Sequence, residues 1–262
     1  MDIVDFSGEY PRPAVLCTIV KITGSAPQSV GQRMWVTAEK FYGTLGGGTF
    51  EHRVLEEARL CLENGAPPEL KDFSLSREMD QCCGGRVQVF FETAKRRKCV
   101  HLLGGGHVAR ALAATLAGMP LDVRLIDGRE RWSRSEGLPD SVEALREDPA
   151  AYARRVAWTE DDAACVLTHS HELDFASVLL LLNSNAGYLG LIGSAHKAAV
   201  FRARLVTLDA DGGDRAARWD RRMRCPIGIR LDSKNPKIIA VSIAAELLEH
   251  WGLRDAARPV VF

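Results

Sequence analysis

The first third of the chain contains four short segments with the alternating or β-rich apolar pattern of strands. These segments are residues 14–22, 34–37, 41–45 and 86–92. The polar residues 38–40 between the second and third segments predict a hairpin. Residues 49–65 predict a helix that Thr49 caps and Gly65 ends, because their apolar positions have helical spacing: Phe50, Val54, Leu55, Ala58, Leu62. We therefore expect a small α+β domain over residues 1–94.

After the basic residues 95–98, which we interpret as a solvated linker, strands alternate with helices. The predicted strands are residues 99–103, 122–127, 154–158, 164–169 and 188–193. Helical segments follow the first, fourth and fifth of them. This alternation predicts a Rossmann-like, doubly wound parallel sheet of the α/β class over residues 99–207.

The last part of the chain, residues 208–262, begins with a polar segment and ends with an apolar one. We expect a loop over residues 208–224 and a helix over residues 236–251. One arrangement that we consider places this helix against the N-terminal domain.

Composition and charge remove several classes of protein. The chain has 262 residues, of which 46% are hydrophobic, and its 34 basic residues balance 34 acidic ones, so no overall field attracts nucleic acid or an anionic membrane. Residues 1–10 lack a signal-peptide pattern, and the longest apolar run, residues 178–182, is too short to span a bilayer. We expect a cytoplasmic protein whose seven cysteines are free thiols.

A dinucleotide-binding pattern lies between the first parallel strand and its helix. Gly104, Gly106 and Ala109 form G-x-G-x-x-A, and Asp127 follows about twenty residues later, as the fingerprint requires. In this pattern the glycines allow a tight turn and close approach of a phosphate, while the helix N-terminus provides N–H donors. Our candidate residues here are Gly104, Gly105, Gly106, His107, Asp127.

Two further candidate groups follow the fourth and fifth parallel strands. His169 and His171 end the fourth strand, which flanks the topological switch point where ligands bind. Their alternative role is to cap or hydrogen-bond the loop. Gly193 and Ser194 end the fifth strand, and for Ser194 alone a helix cap is the favoured interpretation.

Residues 80–85, DQCCGG, place adjacent thiols in a glycine turn. Adjacent cysteines do not suit structural zinc, and a vicinal disulfide would be strained, so Cys82 and Cys83 are either a buried apolar pair or reactive thiols. A thiolate beside backbone N–H groups suits a soft metal or sulfur transfer. Gln81 belongs to the same turn.

A second glycine turn, residues 44–48, runs into the predicted N-terminal helix. Gly46, Gly47 and Gly48 could form a concave arrangement of N–H groups that binds an anion. A tight turn alone would require only one or two of them.

The chain resembles the xanthine dehydrogenase accessory proteins of the XdhC/CoxI type. The resemblance rests on seven segments in the family's order: residues 24–37, 43–52, 81–92, 102–113, 166–182, 187–197, 225–248. Two positions depart from the family's pattern. Gln28 stands where the family has the basic residue of GSAPR, so the first loop lacks a positive charge that could hold a phosphate. Ser170 stands where the family has the aspartate of THDH.

The resemblance implies a molybdenum cofactor-binding chaperone, and not an enzyme, that protects the cofactor, assists its sulfuration and inserts it into a molybdenum hydroxylase apoenzyme of the xanthine dehydrogenase type. The cofactor would be molybdopterin or its cytosine dinucleotide form, held between the domains and contacted at molybdenum by Cys82 or Cys83. A cysteine desulfurase as a second partner and a homo-oligomeric state are further expectations. The alternatives are an NAD-dependent oxidoreductase and a thiol enzyme that transfers sulfur.

Overall fold

The computed structural model describes residues 12–75, 85–94 and 96–252, and the chain divides into two compact units, Met1–Arg96 and Arg97–Phe262. Among the helices of these described segments, none combines the length and the apolar character needed to cross a bilayer.

The first unit is a five-stranded antiparallel sheet with one helix. Its elements are β1 (Ala14–Thr23), β2 (Arg33–Val36), β3 (Phe41–Gly43), α1 (Gly48–Asn64), β4 (Glu69–Ser74) and β5 (Arg86–Ala94). The strand order is β3-β2-β1-β5-β4, with every neighbouring pair antiparallel.

The sheet of the first unit forms around alternating apolar residues that pack on α1. Cys17 and Ile19 of β1 and Val87 of β5 are buried in one core with Phe50 and Val54 of the helix. Gly65 ends α1 in the left-handed conformation, as the sequence predicts. The helix cap differs from the prediction, because Gly47 precedes the first helical residue and Thr49 lies inside the helix.

The second unit is a parallel sheet with helices on both faces, which confirms the predicted fold class. Its strands are β6 (Lys98–Leu103), β7 (Leu121–Ile126), β8 (Val142–Leu145), β9 (Asp162–Val166), β10 (Tyr188–Leu191) and β11 (Met223–Arg224). Its helices are α2 (His107–Leu116), α3 (Pro149–Arg155), α4 (His171–Leu181), α5 (Ala195–Leu208), α6 (Arg215–Arg222) and α7 (Pro236–His250). The strand order β11-β10-β9-β6-β7-β8 is that of a Rossmann fold.

Two hydrophobic layers cover this sheet. Helices α2 and α7 pack together on one face, where Leu112 and Leu116 meet Ile243 and Leu247. Side chains from α3, α4, α5 and α6 cover the other face. The C-terminal helix therefore completes the core of the second unit, whereas the sequence left open that it packs on the N-terminal domain.

Two sequence predictions in this unit were wrong. Residues 154–158, predicted as a strand, include the end of α3, which begins because Asp148 accepts hydrogen bonds from the N–H groups of Ala150 and Ala151. The third strand is instead β8. Residues 208–224, predicted as a loop, contain α6, which buries Trp219 against the sheet's second layer.

The first and fourth strands of the parallel sheet, β6 and β9, are neighbours, so the topological switch point lies between them as predicted. Leu167 N donates to Leu103 O at 2.8 Å where the two strands end. The loops that follow these strands therefore leave the same edge of the sheet side by side.

Candidate functional site

Two of the three glycines after β6 are required by close packing. A Cβ on Gly104 would lie 2.5 Å from Leu167 O, and its φ of +115° is a further strain for other residues. A Cβ on Gly105 would lie 2.3 Å from Trp132 O. These two glycines therefore allow the β6–α2 turn to pack closely against the backbone of Leu167 and Trp132.

Gly106 differs, because apart from Gly106 and its two chain neighbours no heavy atom of the described residues lies within 4 Å of the position of its missing Cβ. It precedes α2 with extended backbone angles, and no side chain caps that helix. The N–H groups of a first helical turn have no partners within the helix, and they carry its positive dipole end. The turn therefore presents open space directly over uncapped N–H donors.

A basic cavity of about 420 Å³ lies beside this helix N-terminus. It is lined by His107, Arg110, Arg131, Trp132, Arg134, Glu136. His107 meets the Trp132 ring edge-to-face at 5.1 Å, and Arg131 lies 5.5 Å from the centre of the same ring. Arg110 donates to Arg134 O at 3.1 Å. The cavity thus combines cationic groups with an aromatic face.

Asp127 occupies the position predicted for a ligand-binding acid, but neighbouring groups surround its carboxylate. Gly105 N donates to Oδ2 at 2.8 Å, and Arg129 N donates to Oδ1 at 2.9 Å. The Arg129 guanidinium adds Nε to Oδ1 at 2.9 Å and Nη2 to Oδ2 at 2.7 Å. Four donors fill the roughly four lone-pair positions of a carboxylate. The expectation that Asp127 accepts from a ribose or pterin stays a prediction, and a ligand would have to share or displace donors that the chain itself supplies.

The protonation of Asp127 reflects these contacts. Burial acts to raise the pKa of this carboxyl, but the hydrogen bonds from Arg129 and Gly105 outweigh burial and hold the pKa below its ordinary value. Asp127 is thus a charged anchor that ties the glycine turn to the end of β7.

The loop after β9 leaves both predicted histidines exposed. Ser170, between them, caps α4 by accepting from Leu173 N, so neither histidine is the helix cap. His169 therefore presents its ring to solvent next to Thr168, whose Cα lies 2.8 Å from the position of a Cβ on Gly104. The loops after β6 and β9 are thereby in contact.

His171, Gly193 and Ser194 come together at a second cavity, of about 460 Å³, at the ends of β9 and β10. Ser194 accepts from Lys197 N at 3.2 Å, so the predicted helix cap is confirmed. A Cβ on Gly193 would lie 2.6 Å from Lys197 Cδ, so a larger residue here would have to displace the lysine side chain. This cavity collects three of the predicted residues in one place.

A buried ion pair beside this cavity was missed by the sequence analysis. The Lys197 ammonium donates to Asp174 Oδ2 and to Ile192 O, the latter at 2.9 Å. Asp174 also accepts from the Thr168 hydroxyl at 2.6 Å. The side chains of Lys197 and Asp174 are 10% and 1% exposed. Asp174, an acidic residue on the buried face of α4, was the feature of the sequence that could have indicated this ion pair.

The glycine turn before α1 also contains an acid of its own. Glu51 Oε2 accepts from Leu45 N at 2.7 Å, Gly47 N at 3.1 Å and the Thr44 hydroxyl at 2.5 Å. Gly46, Gly47 and Gly48 all have positive φ, as a concave arrangement of N–H groups needs. The Glu51 carboxylate already binds Leu45 N and Gly47 N, so an external anion would compete with it, and anion binding by Gly46, Gly47 and Gly48 stays a prediction.

Gln81, Cys82 and Cys83 lie outside the described residues. The five described cysteines are in no disulfide: Cys17, Cys61, Cys99, Cys165, Cys225. Burial raises the pKa of Cys17 and Cys165, and burial with a hydrogen bond to Glu69 raises the pKa of Cys61 to about 11. These thiols are therefore protonated at neutral pH and poor nucleophiles.

A buried polar cluster lies under α3, away from the glycine turn. His101 Nδ1 is 2.8 Å from the Tyr152 hydroxyl, and His101 Nε2 is 3.1 Å from Asp162 Oδ1. Donor atoms of Cys99, His101 and Asp162 lie within 4.8 Å of one another. Because both ring nitrogens already have partners, we interpret the cluster as a hydrogen-bonded part of the core.

The Escherichia coli (strain K12) protein YqeB, described as uncharacterized, is 27% identical to this chain over 245 residues, which cover 92% of this chain and 44% of that protein. A protein of Bacillus subtilis (strain 168), described as a probable xanthine dehydrogenase subunit, is 24% identical over 163 residues, which cover 62% of this chain and 46% of that protein. The aligned regions span less than half the length of these curated relatives.

A crystal structure described as a xanthine dehydrogenase from Bacillus halodurans is similar with a TM-score of 0.50 and 18% identity, over 94% of each chain. At this identity the likeness concerns the fold alone. It agrees with the Rossmann topology of the second unit.

Family models match in both units. Residues 9–74 match the model described as the XdhC and CoxI family, and residues 100–247 match the XdhC Rossmann domain. The second match alone spans more than half of the 262 residues. The resemblance inferred from the motifs is thereby confirmed, and the chain belongs to the XdhC and CoxI family.

Proposed function

We propose that this protein is an accessory factor in xanthine dehydrogenase maturation that binds molybdenum cofactor and hands it to a molybdenum hydroxylase apoenzyme. Membership of the XdhC and CoxI family supports this role, as does similarity to a probable component of a xanthine dehydrogenase. The observation that carries the proposal is the open, uncapped N-terminus of α2 above Gly106 at the switch point.

The residues around Gly106 fit the phosphate of such a cofactor. A phosphate needs several converging N–H donors, space beside the backbone and positive potential. Gly106 supplies the space, the first turn of α2 supplies the donors, and Arg131 in the adjacent cavity supplies charge. When bound, the cofactor would supply the redox-active metal centre of the recipient enzyme.

Cys82 and Cys83 remain our proposed contacts to molybdenum, with Gln81 in the same turn. A soft thiolate suits a soft metal centre and its sulfuration. The protonated state of the buried thiols Cys17, Cys61 and Cys165 supports assigning such a role to residues 82 and 83. A cysteine desulfurase would then be the sulfur source, and assembly as a homo-oligomer is part of the same proposal.

An NAD-dependent oxidoreductase is less well supported. In NAD-binding Rossmann domains an acid at the end of the second strand accepts from the ribose hydroxyls. Here that acid, Asp127, already accepts hydrogen bonds from Arg129 and Gly105. An accessory role without catalysis therefore fits this site better than hydride transfer.

The test is reconstitution of the full chain. Cofactor released from a molybdenum hydroxylase is added to the apo protein under reducing, anaerobic conditions, and unbound material is removed. Molybdenum is measured by mass spectrometry, and pterin by the fluorescence of its oxidised derivative. We expect both to be retained together, at up to one per chain.

The second step of the test is delivery. The loaded protein is mixed with apo xanthine dehydrogenase, and hydroxylase activity is compared with that obtained from the same amount of free cofactor. Greater activity with the loaded protein is the expected result. Stoichiometric retention of NAD without retention of pterin or molybdenum would overturn the proposal in favour of the oxidoreductase.

A further inference from the structure

Helix α7 has a second apolar stripe on the side opposite its buried face. The buried face includes Ile243 and Leu247, which pack in one core with α2. The outer stripe consists of four residues at successive spacings of three, four and three: Ile238, Val241, Ala245, Leu248. Ile238 and Val241 are 43% and 53% exposed. A surface helix ordinarily carries polar residues on this side, whereas a helix that is apolar on all sides is buried.

The polar residues in the middle of α7 serve the interior of the second unit. Ser242 is buried and donates its hydroxyl to Ile239 O at 2.8 Å. Glu246 accepts from the Tyr188 hydroxyl at 2.9 Å and from Gly228 N. Neither side chain therefore provides the outer stripe with a solvated polar group.

The loop before α7 adds exposed apolar residues next to this stripe. Ile229 N donates to Ser242 O at 3.2 Å, which places Ile229 beside the middle of the helix. Ile229 and Leu231 are 42% and 47% exposed. Single exposed apolar residues are normal on a protein surface, but a cluster of them marks an interaction site.

The charges at the two ends of α7 have opposite signs. Lys234 and Lys237 are exposed at the N-terminal end, and Glu249 is exposed at the C-terminal end. Arg230 and Asp232, in the loop before the helix, balance each other in charge. If two copies of α7 packed in parallel, like charges would meet at each end. An antiparallel arrangement brings the basic end of one helix beside the acidic end of the other, which is favourable.

The outer stripe is also complementary to itself about the level of Ile243. Ile238 and Leu248 are five residues to either side of Ile243, and Val241 and Ala245 are two residues to either side. Antiparallel pairing about a two-fold axis at this level therefore places the larger Val241 of one copy level with the small Ala245 of the other. Alternation of large and small residues allows facing helices to interdigitate.

We infer that α7 is the interface of a two-fold symmetric dimer, in which the outer stripes of two copies of this chain pack antiparallel. Spacings of three and four residues are those of the seam between paired helices, and a two-fold interface uses the same surface on both copies. This inference goes beyond the proposed function, which includes a homo-oligomer without assigning its interface.

The experiment measures self-association of the full chain without cofactor by sedimentation velocity at low salt. The protein concentration spans about 1–100 μM, because a contact centred on one pair of helices is small. The test variant is Val241→Glu. The matched control is Val206→Glu on α5, since Val206 is similarly exposed, at 50%. The other exposed apolar residues of α5, Val200 and Leu208, are six and two residues away and do not share its helical face.

We expect the parent and Val206→Glu to form dimers in a concentration-dependent way, whereas Val241→Glu should dissociate at least about tenfold more readily, because two carboxylates would be buried between the helices. The melting temperature should rise with protein concentration for the parent and for Val206→Glu, but not for Val241→Glu. Circular dichroism of all three proteins should be the same, because Val206 and Val241 are exposed.

A charge exchange tests the antiparallel orientation. Lys237→Glu should weaken the dimer about threefold or more, because it places two acidic ends together. The double variant Lys237→Glu/Glu249→Lys should recover the affinity of the parent. Should Val241→Glu lose helical signal, these two variants decide the question, because both residues are exposed and change no apolar contact.

A parent that stays monomeric over this range overturns the inference, whether the hydroxylase or another part of the chain then covers the stripe. A dimer that Val241→Glu leaves intact, or that Val206→Glu weakens equally, also overturns it, as does a charge exchange that recovers nothing. Because no cofactor is present, failed reconstitution leaves a dimer through α7 standing. A monomeric parent, in turn, leaves the proposed binding and delivery of the cofactor standing.

Discussion

The guanidinium of Arg129 holds the carboxylate of Asp127 in a bidentate pair, with Nε 2.9 Å from Oδ1 and Nη2 2.7 Å from Oδ2. The same carboxylate accepts from Gly105 N, so the pair fixes the turn that precedes α2. An acid at this position of a Rossmann fold ordinarily faces the ligand. In this protein it positions the backbone of the turn at which we propose phosphate binding.

Asp127→Ala should therefore act first on stability. The change leaves Gly105 N without its acceptor and removes the partner of Arg129, and we expect a loss of about 1.5–3 kcal/mol in the free energy of unfolding. Urea denaturation followed by circular dichroism measures this loss. Asp122→Asn is the control, because Asp122 is exposed and its ion pair with Arg97 is long, at 3.7 Å. Equal stabilities of the two variants would contradict the anchoring role.

Low pH should reduce the stability of the second unit, because Asp127 and Asp162 become protonated. Burial acts to raise the pKa of Asp162, but hydrogen bonds from His101 and Thr159 outweigh it, so the pKa values of both carboxyls are lowered in the folded protein. Their stabilisation is complete above the unfolded value of about 3.9 and is lost as the pH falls through the folded values.

The variant Asp127→Asn/Asp162→Asn should thus show a flatter dependence of unfolding free energy on pH below about pH 5. Denaturant titrations at a series of pH values, with the parent alongside, provide the measurement. If the parent and the double variant lose stability in parallel over this range, these two carboxyls are not responsible for acid sensitivity.

Replacing only one partner of the ion pair between Lys197 and Asp174 should strongly lower the free energy of unfolding. Lys197→Met leaves the Asp174 carboxylate buried without its cation, and we expect a loss of about 3–5 kcal/mol. Adding Asp174→Asn should recover part of this loss, because the uncompensated charge disappears while an oxygen can still accept from Thr168. Chemical denaturation of the single and double variants measures the coupling.

The control for this pair lies on the same two helices. Arg204 and Glu172 form an ion pair at 3.1 Å whose side chains are largely exposed. Glu172→Gln should leave the stability unchanged, since solvent screens exposed pairs. A double variant no more stable than Lys197→Met would argue against an uncompensated charge as the cause of the loss.

Gly106→Ser should separate ligand binding from folding. A serine at this position can cap α2, so the free energy of unfolding should stay equal or rise by about 0.3 kcal/mol. Its hydroxyl would occupy the N–H donors proposed for a phosphate, and retention of reconstituted cofactor should fall. Thermal melts and molybdenum analysis measure the two effects.

Two other glycines calibrate this result. Gly128→Ser adds the same side chain where the Cβ has only ordinary contacts at 3.7 Å, so both stability and retention should resemble the parent. Gly104→Ala should cost more than about 2 kcal/mol, because it adds a backbone clash to a strained φ. If Gly106→Ser retains as much cofactor as the parent, the proposal that the α2 N-terminus binds the phosphate is wrong.

Alkylation should be selective among the cysteines. Burial raises the pKa of Cys17, Cys61, Cys165 and Cys225, the last to about 11. Brief treatment of the native protein with iodoacetamide at about pH 7.5, followed by peptide mass spectrometry, should therefore spare them, and rapid modification should fall on Cys82 or Cys83. Modification of a buried thiol at the rate seen in urea would contradict this assignment.

Local patterns predicted the layout of both units. The alternating residues of β1 and β5, the helical spacing of α1 with its stop at Gly65, and the strands on either side of Gly104 follow from short-range periodicity and steric rules. These features are readable because each depends on residues within about one or two turns of the chain. Family membership followed from the same motifs.

One failure came from a local helix start that the strand pattern concealed, and the other from contacts with residues distant in the chain. The segment 154–158 is apolar enough for a strand, but Asp148 and Pro149 start a helix that includes its first residues, and Trp158 packs into the core from the following turn. The helix α6 is polar by composition, but Ala216 and Trp219 pack on the second layer, and Asp209 accepts from Arg215 N and Ala216 N at the start of the helix. Propensity is a weak guide where tertiary contacts decide.

The roles of the candidate residues depended on the folded structure for the same reason. A sequence shows that Asp127 follows a glycine turn, but it does not show that Arg129 and Gly105 use all of its lone pairs. It shows Glu51 in a first helical turn, but not that its carboxylate accepts from Leu45 N and Gly47 N. It shows Gln28 in a loop, but not that chain folding brings this residue against Gly46. Hydrogen-bond saturation and burial are properties of three-dimensional neighbours, and these decided which polar groups are anchors and which remain available to a ligand.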